Sequence, residues 1–378
     1  MRLHPWIFSG AIKKINGNPA EGEVVEVYDN KDNFLCCGHY QIGTIAIRIF
    51  TFDKEIIDNT FWHNKILAAI NYRKNLGFFD SFNSNVFRLI NAEGDNLPGL
   101  IIDYYNGVAV IQAHSVGMFL ILKDITDILK NILQDKLKAV YNKSLASLPY
   151  KSKIEQEDGF LFESSNTNQV QEYGNKYFID WAKGQKTGFF IDQRENRKLL
   201  EYYSKDKSVL NMFCYTGGFS VSALKGGAKM VHSVDSSKKA IELTDKNIEL
   251  NFPNSEKHIS FAEDAFDFLD NIKDKYDVII LDPPAFAKHQ KALHNALQGY
   301  KRLNQKAISQ IKPGGIIFTF SCSQAVSKDN FRKSVFVAAT NAGRNLRILH
   351  QLSQPVDHPI SIFHPEGEYL KGLVLYVE

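Results

Sequence analysis

The stretch YDVIILDPPAFAK, Tyr276 to Lys288, places a carboxylate directly after an apolar run. Val278 to Leu281 is unbroken apolar sequence rich in β-branched residues, which favours a strand buried on both faces of a parallel sheet. Ligands of open α/β sheets bind beyond the carboxyl ends of the strands, where Asp282 is predicted to lie. This carboxylate is therefore a candidate for catalysis, and the simpler alternative is a strand that stops at a proline turn.

The turn after Asp282 is predicted to be rigid and apolar. Its two prolines fix φ and supply no N–H, so the aromatic ring that follows can face a planar ligand. The candidate substrate contacts are Pro283, Pro284, Phe286 and Lys288.

A glycine turn in NMFCYTGGFS, Asn211 to Ser220, follows a second apolar strand and opens a helix. Gly217 and Gly218 let the backbone approach a ligand closely, and the helix N-terminus adds a positive dipole. The turn is not the GxGxxG fingerprint of dinucleotide sites, so pyrophosphate binding is disfavoured.

Two more carboxylates are predicted at successive strand ends. Asp235, 17 residues beyond Gly218, can accept hydrogen bonds from both hydroxyls of a ribose, and Asp264 in AEDAF can meet an adenine amine. Acidic residues also cap helices, so each is weak evidence alone. Together they indicate an adenosine-type cofactor without a diphosphate. The candidate contacts are Asn211, Phe213, Tyr215, Thr216, Gly217, Gly218, Asp235, Ser236, Asp264, Ala265 and Asp282.

Alternating strands and helices from about Lys176 are predicted to position these residues. The predicted strands are 209–213, 230–235, 258–262, 276–282, IIFTFS, NLRILHQLS and LKGLVLYVE, and the predicted helices are 218–225, 238–250, 265–272 and 294–311. This alternation is typical of a doubly wound α/β domain.

The sequence before this domain predicts two smaller units. EGEVVEVYD, NFLCCGHY and TIAIRIFTF read as strands of a small β-barrel or sandwich, where Arg48 could contact phosphate or simply solvate a strand face. A helix follows, FWHNKILAAINYRKNLG, with Lys65, Arg73 and Lys74 off its apolar face. Three strands, a long helix within SVGMFLILKDITDILKNILQDK, and two strands then indicate a compact α+β unit.

Composition limits the class of protein. The chain has 378 residues, a formal net charge of +3 and a pI near 8.4, which permits a nucleic-acid partner. Its four cysteines form no disulfide framework, and no cluster has metal-ligand spacing, so we expect no metal. Without a signal pattern or an apolar run of membrane-span length, we expect a cytoplasmic protein that is not in a membrane.

Eight stretches carry a family resemblance: HPWIFSGAI, GDNLPGLIID, GQKTGFFIDQRENR, NMFCYTGGFS, VDSS, LDPPAFAK, SCS and PEGEYLKG. The C-terminal half resembles the class I S-adenosylmethionine-dependent methyltransferases, which have a Rossmann-like fold. The whole chain is similar to the bacterial family of 23S ribosomal RNA cytosine-5 methyltransferases that carry an N-terminal PUA domain. The family has a further strand's worth of residues before HPWIF, so whether the PUA barrel is complete stays open.

The resemblance implies three domains: a PUA-like RNA-binding domain at 1–72, an α+β central domain of EEHEE type at 73–175, and the methyltransferase domain at 176–378. It implies S-adenosylmethionine as cofactor and RNA, 23S ribosomal RNA in particular, as partner. GQKTGFFIDQREN is implied to wrap the cofactor, which adds Phe190, Asp192 and Arg194 to the candidate contacts. Lys186, Glu366 and Lys371 receive no role, and the oligomeric state stays open, with a homodimer as one option.

Cys322 in SCS is the candidate nucleophile. Cytosine C5 is too weakly nucleophilic to attack a methyl sulfonium unaided, whereas addition of a thiolate to C6 raises the electron density at C5. Asp282 would hydrogen-bond the N3/N4 edge of the base, and Phe286 would stack on it. A buried cysteine that only packs is the alternative for Cys322, and packing is our prediction for Cys214.

Two other functions stay open. A guanine N-methyltransferase could share the DPPAF-like motif, but nitrogen is already nucleophilic and needs no thiolate. A non-catalytic RNA-binding protein that senses the cofactor is disfavoured because both halves of a chemical site are present.

Overall fold

The computed structural model describes residues 3–81, 83–149, 157–287 and 289–378. The chain divides into two compact units, each built from several segments. The first unit comprises Met1–Val170, Asp180–Ile191 and Val356–Gly367, and the second comprises Gln171–Ile179, Asp192–Pro355 and Glu368–Glu378. The limits of three domains given above stay predictions.

The first unit begins with a four-stranded antiparallel sheet. Its strands are β1 (Trp6–Phe8), β2 (Val24–Tyr28), β3 (Phe34–Tyr40) and β4 (Ile45–Thr51), in the order β1-β4-β3-β2. The three strands predicted here are present, and β1 adds an edge by pairing Trp6 with Arg48. Gly38 on β3 is required where the strands meet, because a Cβ there would lie 2.5 Å from the carbonyl oxygen of Arg48.

Helix α1 (Asn59–Asn75) begins at Asp58, whose side chain accepts a hydrogen bond from the backbone N–H of Phe61. Its apolar face, which includes Ile66 and Ile70, is fully buried, as predicted. Arg73 departs from the prediction because it is fully buried and its guanidinium lies 2.5 Å from the carboxylate of Asp95. A buried charge needs such a partner, and its hydrogen bonds to backbone carbonyls complete the compensation.

The five-stranded sheet of the first unit has the predicted order of strands and helix. Its elements are β5 (Val86–Asn91), β6 (Leu100–Tyr105), β7 (Val108–Ala113), α2 (Val116–Leu120), α3 (Leu122–Leu133), β8 (Ala139–Asn142) and β9 (Gly159–Phe162), and its strands follow the order β5-β6-β7-β8-β9. The helical stretch, predicted as one helix, is broken at Ile121, where φ is −100° and ψ is 14°. The apolar side chains of α1 join the core of this sheet.

A hairpin that the sequence analysis did not predict follows, formed by β10 (Gln169–Glu172) and β11 (Asn175–Phe178). Its turn residues Tyr173 and Gly174 have φ of 48° and 82°. Two consecutive positive φ values match the type I′ turn that suits the twist of a hairpin.

The second unit is the predicted doubly wound α/β domain. Its helices are α4 (Arg194–Tyr203), α5 (Gly218–Lys225), α6 (Lys238–Asn251), α7 (Ala265–Leu269), α8 (Leu293–Gln310) and α9 (Lys328–Ala342). Its strands are β12 (Ser208–Met212), β13 (Met230–Val234), β14 (His258–Phe261), β15 (Val278–Leu281), β16 (Gly315–Ser321), β17 (Leu346–Leu352) and β18 (Lys371–Val377).

The seven strands lie in the order β14-β13-β12-β15-β16-β18-β17. All neighbours are parallel except β18, which runs antiparallel to β16 and β17. The chain order reverses between β12 and β15, and this reversal opens the crevice in which α/β proteins bind ligands. No helix in the described parts of the chain is long and apolar enough to cross a membrane.

Candidate active site

The register of the second unit brings three predicted groups to one edge of its sheet. Met212 pairs with Leu281 across β12 and β15, so Phe213 and Asp282 leave the sheet side by side. Leu281 pairs in turn with Thr319 on β16, three residues before Cys322. The glycine turn, the DPP turn and the SCS motif therefore meet where the strand order reverses.

Cys322 lies beside the DPP turn. Its Sγ is 4.0 Å from the carbonyl oxygen of Pro283, and its side chain is only partly buried. The following residue, Ser323, is fully buried, and its Oγ accepts a hydrogen bond from the backbone N–H of Ala287 at 3.2 Å. This bond ties the SCS motif to the DPP turn, and the Tyr300 hydroxyl on α8 also bonds Ser323 Oγ at 2.9 Å.

Lys371, to which the sequence analysis gave no role, stands behind the SCS motif. It pairs with Ser321 across β18 and β16, is 3% exposed, and its ammonium group donates to the Ser323 carbonyl at 2.7 Å. Burial lowers its pKa to about 8, although a Cys322 thiolate and Glu368 act in the opposite direction. The sequence signal for this group was a lysine at the start of the otherwise apolar strand KGLVLYV.

The glycine turn has an unusual backbone. Phe213, Tyr215 and Gly217 have φ of 60°, 47° and 75°, although only the last is a glycine. Helix α6 holds the turn, since the Thr244 hydroxyl donates to the Tyr215 carbonyl at 3.0 Å and Asn247 donates to the Thr216 carbonyl at 2.9 Å. Strained backbone of this kind persists where the surroundings enforce it, and it is typical of ligand sites.

The two predicted adenosine carboxylates are oriented by backbone N–H groups. Asp235 accepts from Tyr215 at 3.1 Å through Oδ2 and from Ser237 at 2.9 Å through Oδ1. Asp264 caps α7 and accepts through Oδ1 from Phe266 at 2.8 Å and Asp267 at 3.3 Å. Both side chains are at least partly exposed, and each carboxylate oxygen has two lone pairs. Both carboxylates can therefore accept further hydrogen bonds from a ligand.

Three predicted residues have packing partners. The Asn211 side chain is buried and donates to Ser220 Oγ at 2.8 Å, beneath α5. The Phe286 ring packs against Tyr300 with ring centroids 4.7 Å apart, so part of its surface is covered by protein. Cys214 is buried with its pKa raised to about 12, mainly by burial, as expected for a packing cysteine.

The remaining residues singled out in the sequence differ in burial and in their partners. Pro283, Thr216, Gly218 and Ala265 are buried, whereas Pro284 and Ser236 are exposed. Asp192 is buried and accepts from the Tyr369 hydroxyl at 2.7 Å, and the buried Arg194 lies 3.5 Å from Glu195. Phe190 and Lys186 belong to the first unit, where the ammonium of Lys186 lies 5.1 Å from the centre of the Phe190 ring. Lys288 is outside the described residues.

The second unit fits an adenosine-type cofactor. Gly217 lets the backbone pass Thr244, because a Cβ at this glycine would lie 2.8 Å from Thr244 Cγ2. The N-terminus of α5 and two pre-oriented carboxylates face the same sheet edge, without the glycine pattern that a diphosphate needs.

Comparison with protein families agrees with this site. A family model described as S-adenosylmethionine-dependent methyltransferase matches residues 149–364, and a PUA-like domain model matches residues 2–52. These matches and the site define the chain as an S-adenosylmethionine-dependent methyltransferase with a PUA-like domain.

Curated relatives narrow the family. The ribosomal RNA large subunit methyltransferase I of Aeromonas hydrophila is 39% identical over 99% of this chain and 96% of its own length. Its counterpart from Klebsiella pneumoniae is 37% identical over 100% of this chain and 95% of its own. The chain therefore belongs to the ribosomal RNA large subunit methyltransferase I family, and it is an enzyme that uses S-adenosylmethionine.

Solved structures support the fold. A methyltransferase crystallised with SAH has a TM-score of 0.86 and 23% identity over 99% of this chain and 96% of its own. An S-adenosylmethionine-dependent methyltransferase from Streptococcus mutans has a TM-score of 0.84 and 22% identity over 98% of this chain and 95% of its own.

Proposed function

We propose that this enzyme forms 5-methylcytidine in 23S ribosomal RNA through a covalent bond between Cys322 and C6 of the target cytosine. The position of Cys322 carries the proposal. Its partly exposed thiol lies 4.0 Å from the carbonyl oxygen of Pro283, the residue that directly follows Asp282. The relatives named for the large ribosomal subunit and the PUA-like match supply the RNA class. Ribosomal RNA as substrate in turn implies a cytoplasmic location.

The covalent step answers a chemical need of the substrate. S-adenosylmethionine supplies an electrophilic methyl group, which an aromatic carbon such as cytosine C5 attacks poorly. When the Cys322 thiolate bonds to C6, the C5–C6 double bond becomes a single bond and its electron pair shifts toward C5. After C5 is methylated, loss of the C5 proton restores the double bond and expels the thiolate, so the cysteine returns unchanged.

Asp282 and Lys371 assist this chemistry in different ways. Asp282, at the end of β15, would hydrogen-bond the N3/N4 edge and stabilise the adduct as charge develops. Lys371 is a positioning residue: its ammonium holds the Ser323 carbonyl next to Cys322, and its charge favours the thiolate. The cofactor would be held by the 211–218 turn, Asp235 and Asp264.

Replacing the nucleophile tests the mechanism. We expect Cys322→Ala to keep S-adenosylmethionine affinity and RNA affinity but to lose methyl transfer by more than about 10³-fold, because the base carbon is no longer activated. RNA carrying 5-fluorocytidine at the target should become covalently trapped on the wild-type enzyme, since fluorine cannot leave as the C5 proton does. Gel electrophoresis under denaturing conditions and nucleoside mass spectrometry measure the two outcomes.

Cys214→Ala is the matched control, because this cysteine of the glycine turn is buried with its Sγ 3.5 Å from the Thr244 hydroxyl. It should retain most of the activity and all of the trapping. Normal 5-methylcytidine formation by Cys322→Ala, or trapping that depends on Cys214, would refute the Cys322 adduct. Methylguanosine in place of 5-methylcytidine as the product of the wild-type enzyme would favour methylation of a guanine nitrogen.

A further inference from the structure

A second cluster of reactive side chains lies in the first unit, outside the methyltransferase site. His4, His364 and Glu366 place one ligand atom each within 4.8 Å of the others. His4 Nε2 is 3.2 Å from Glu366 Oε2, and His364 Nε2 is 3.8 Å from the same oxygen. Two ligands of a tetrahedral zinc ion are about 3.4 Å apart, so both distances are near those of a shared ion.

His364 supplies an independent observation. Its side chain is 3% exposed, and among the described residues its Nε2 has no hydrogen-bond partner. The ring is held edge-on against Trp6, with centroids 4.4 Å apart, so the nitrogen stays directed at the cluster. A buried polar atom without a hydrogen bond is unfavourable, and a bound ion would remove that cost.

The residues around the cluster hold its members in place. His4 Nδ1 lies 3.3 Å from the Trp6 carbonyl oxygen and 3.1 Å from the Trp6 backbone nitrogen, which donates to it when the ring hydrogen is on Nε2. In the tautomer that binds a cation, the hydrogen is on Nδ1 and is donated to the Trp6 carbonyl oxygen, so the Nε2 lone pair faces Glu366. Trp6 is fixed by its own hydrogen bond to Glu93 at 2.8 Å, and Glu93 is neutralised by Arg48 at 3.2 Å. Glu366 is 40% exposed, which leaves room for water as a further ligand.

We propose that His4, His364 and Glu366 form a binding site for a first-row divalent cation, Zn²⁺ or a metal of similar ligand preference. Two imidazoles and a carboxylate are a ligand set that suits zinc, and a solvent molecule would supply the fourth ligand. The sequence analysis expected no metal because the ligands are not close in sequence: His4 and His364 are separated by 360 positions.

Such an ion would connect two parts of the first unit that are distant in sequence. His4 lies two residues before the first residue of the edge strand β1, and the other ligands lie in the segment Val356–Gly367. Because these ligands come together only when the chain is folded, the ion binds the folded state and stabilises it by mass action.

Metal binding to the full-length, untagged protein tests the site. After removal of metal with a chelator, titration calorimetry with ZnCl₂ should show one equivalent bound per chain, and the melting temperature should rise with Zn²⁺ concentration. Cobalt(II) should give the absorption of nitrogen and oxygen ligands without a thiolate charge-transfer band, which excludes binding by the four cysteines.

Glu366→Gln is the decisive variant because it keeps the size of a partly exposed side chain and removes the ligand charge. We expect its Zn²⁺ affinity to fall at least tenfold and its melting temperature to become insensitive to zinc, and His364→Phe should behave likewise. His63→Gln, a histidine on α1 outside the cluster, should bind as the wild type does. Absence of a binding isotherm in the wild type, or equal affinity in Glu366→Gln, would leave only a histidine–glutamate ion pair and overturn the proposal.

Discussion

At the scale of single residues, the buried Lys371 makes the reactivity of Cys322 depend on a neighbouring charge. The groups that act on Lys371 are Cys322, Glu368 and Lys328, and the last two form an ion pair with each other. Because burial lowers the Lys371 pKa to about 8, this residue is charged near neutral pH and loses its charge only a little above it. A nearby cation lowers the pKa of a thiol, so a charged Lys371 favours the thiolate near neutral pH.

Lys371→Met should therefore raise the pKa of Cys322. We expect the rising, acidic limb of the pH profile of methyl transfer to move to higher pH by about one unit or more, the usual effect of removing a nearby opposite charge. The rate near pH 7 should fall at least about tenfold, while S-adenosylmethionine affinity stays unchanged. Single-turnover rates measured from pH 6 to 9 give the position of this limb on the pH axis.

Lys333→Met is the matched control, because Lys333 is 70% exposed and its ammonium pairs with Asp329. Its pH profile should remain that of the wild type. If the pH profile of Lys371→Met is not shifted, Lys371 does not affect the Cys322 pKa, and its role is only to hold the Ser323 carbonyl.

At the scale of elements, the turn between β12 and α5 joins backbone strain to cofactor binding. Gly217 has φ of 75° and lies against Thr244, whereas Gly343, after α9, has φ of 65° and nothing within 4 Å of the point where a Cβ would lie. The two glycines therefore share a backbone conformation and differ in surroundings. This difference separates the cost of strain from the cost of steric overlap.

Gly343→Ala should lower the free energy of unfolding by about 1–2 kcal/mol, the cost of left-handed backbone in a residue with a Cβ. Gly217→Ala should cost more, since its Cβ would lie 2.8 Å from Thr244, and it should weaken S-adenosylmethionine binding about tenfold by displacing the turn. Chemical denaturation and titration calorimetry measure the two quantities. If both variants bind the cofactor like the wild type, the turn is not part of the cofactor site.

The sequence predicted the elements that end at the site because parallel strands leave a strong pattern. Buried strands such as Val278–Leu281 are continuous apolar runs, and a polar residue that follows one must lie at the sheet edge. The positions of Asp282 and Cys322 at the sheet edge were predicted in this way. The distance between them could not be predicted, because it depends on the order of the strands in the sheet.

Other elements were missed because their patterns are weak or non-local. Helix α9 buries Phe331 and Val335 but exposes Phe336 and Val337, so its apolar residues do not form one clear face. Its capping residues, Ser327 and Gly343, were the available signals. Buried charges such as Lys371 depend on contacts between segments distant in sequence, which local periodicity does not report.

At the scale of the whole molecule, a net charge of +3 is too small to hold RNA by itself, so local groups of cations must do so. Several cations of the first unit already have protein partners: Arg48 pairs with Glu93, and Arg73 pairs with Asp95. The prediction that Arg48 could contact phosphate therefore loses support. Lys13 and Lys14, between β1 and β2, are both exposed and remain candidates for contact with RNA.

Replacing Lys13 and Lys14 by glutamine together tests whether the PUA-like domain docks the RNA. Each contact with a phosphate releases counterions, which steepens the fall of log affinity with log salt by about 0.7–0.9. Loss of two contacts should reduce that slope by about 1.4–1.8 and weaken binding at low salt, with S-adenosylmethionine affinity unchanged. The adjacent pair Lys238 and Lys239 on α6, also exposed, is the matched control in the second unit. Filter binding to 23S ribosomal RNA fragments over a salt series gives both slopes, and a reduction confined to the α6 pair would assign RNA docking to the methyltransferase unit.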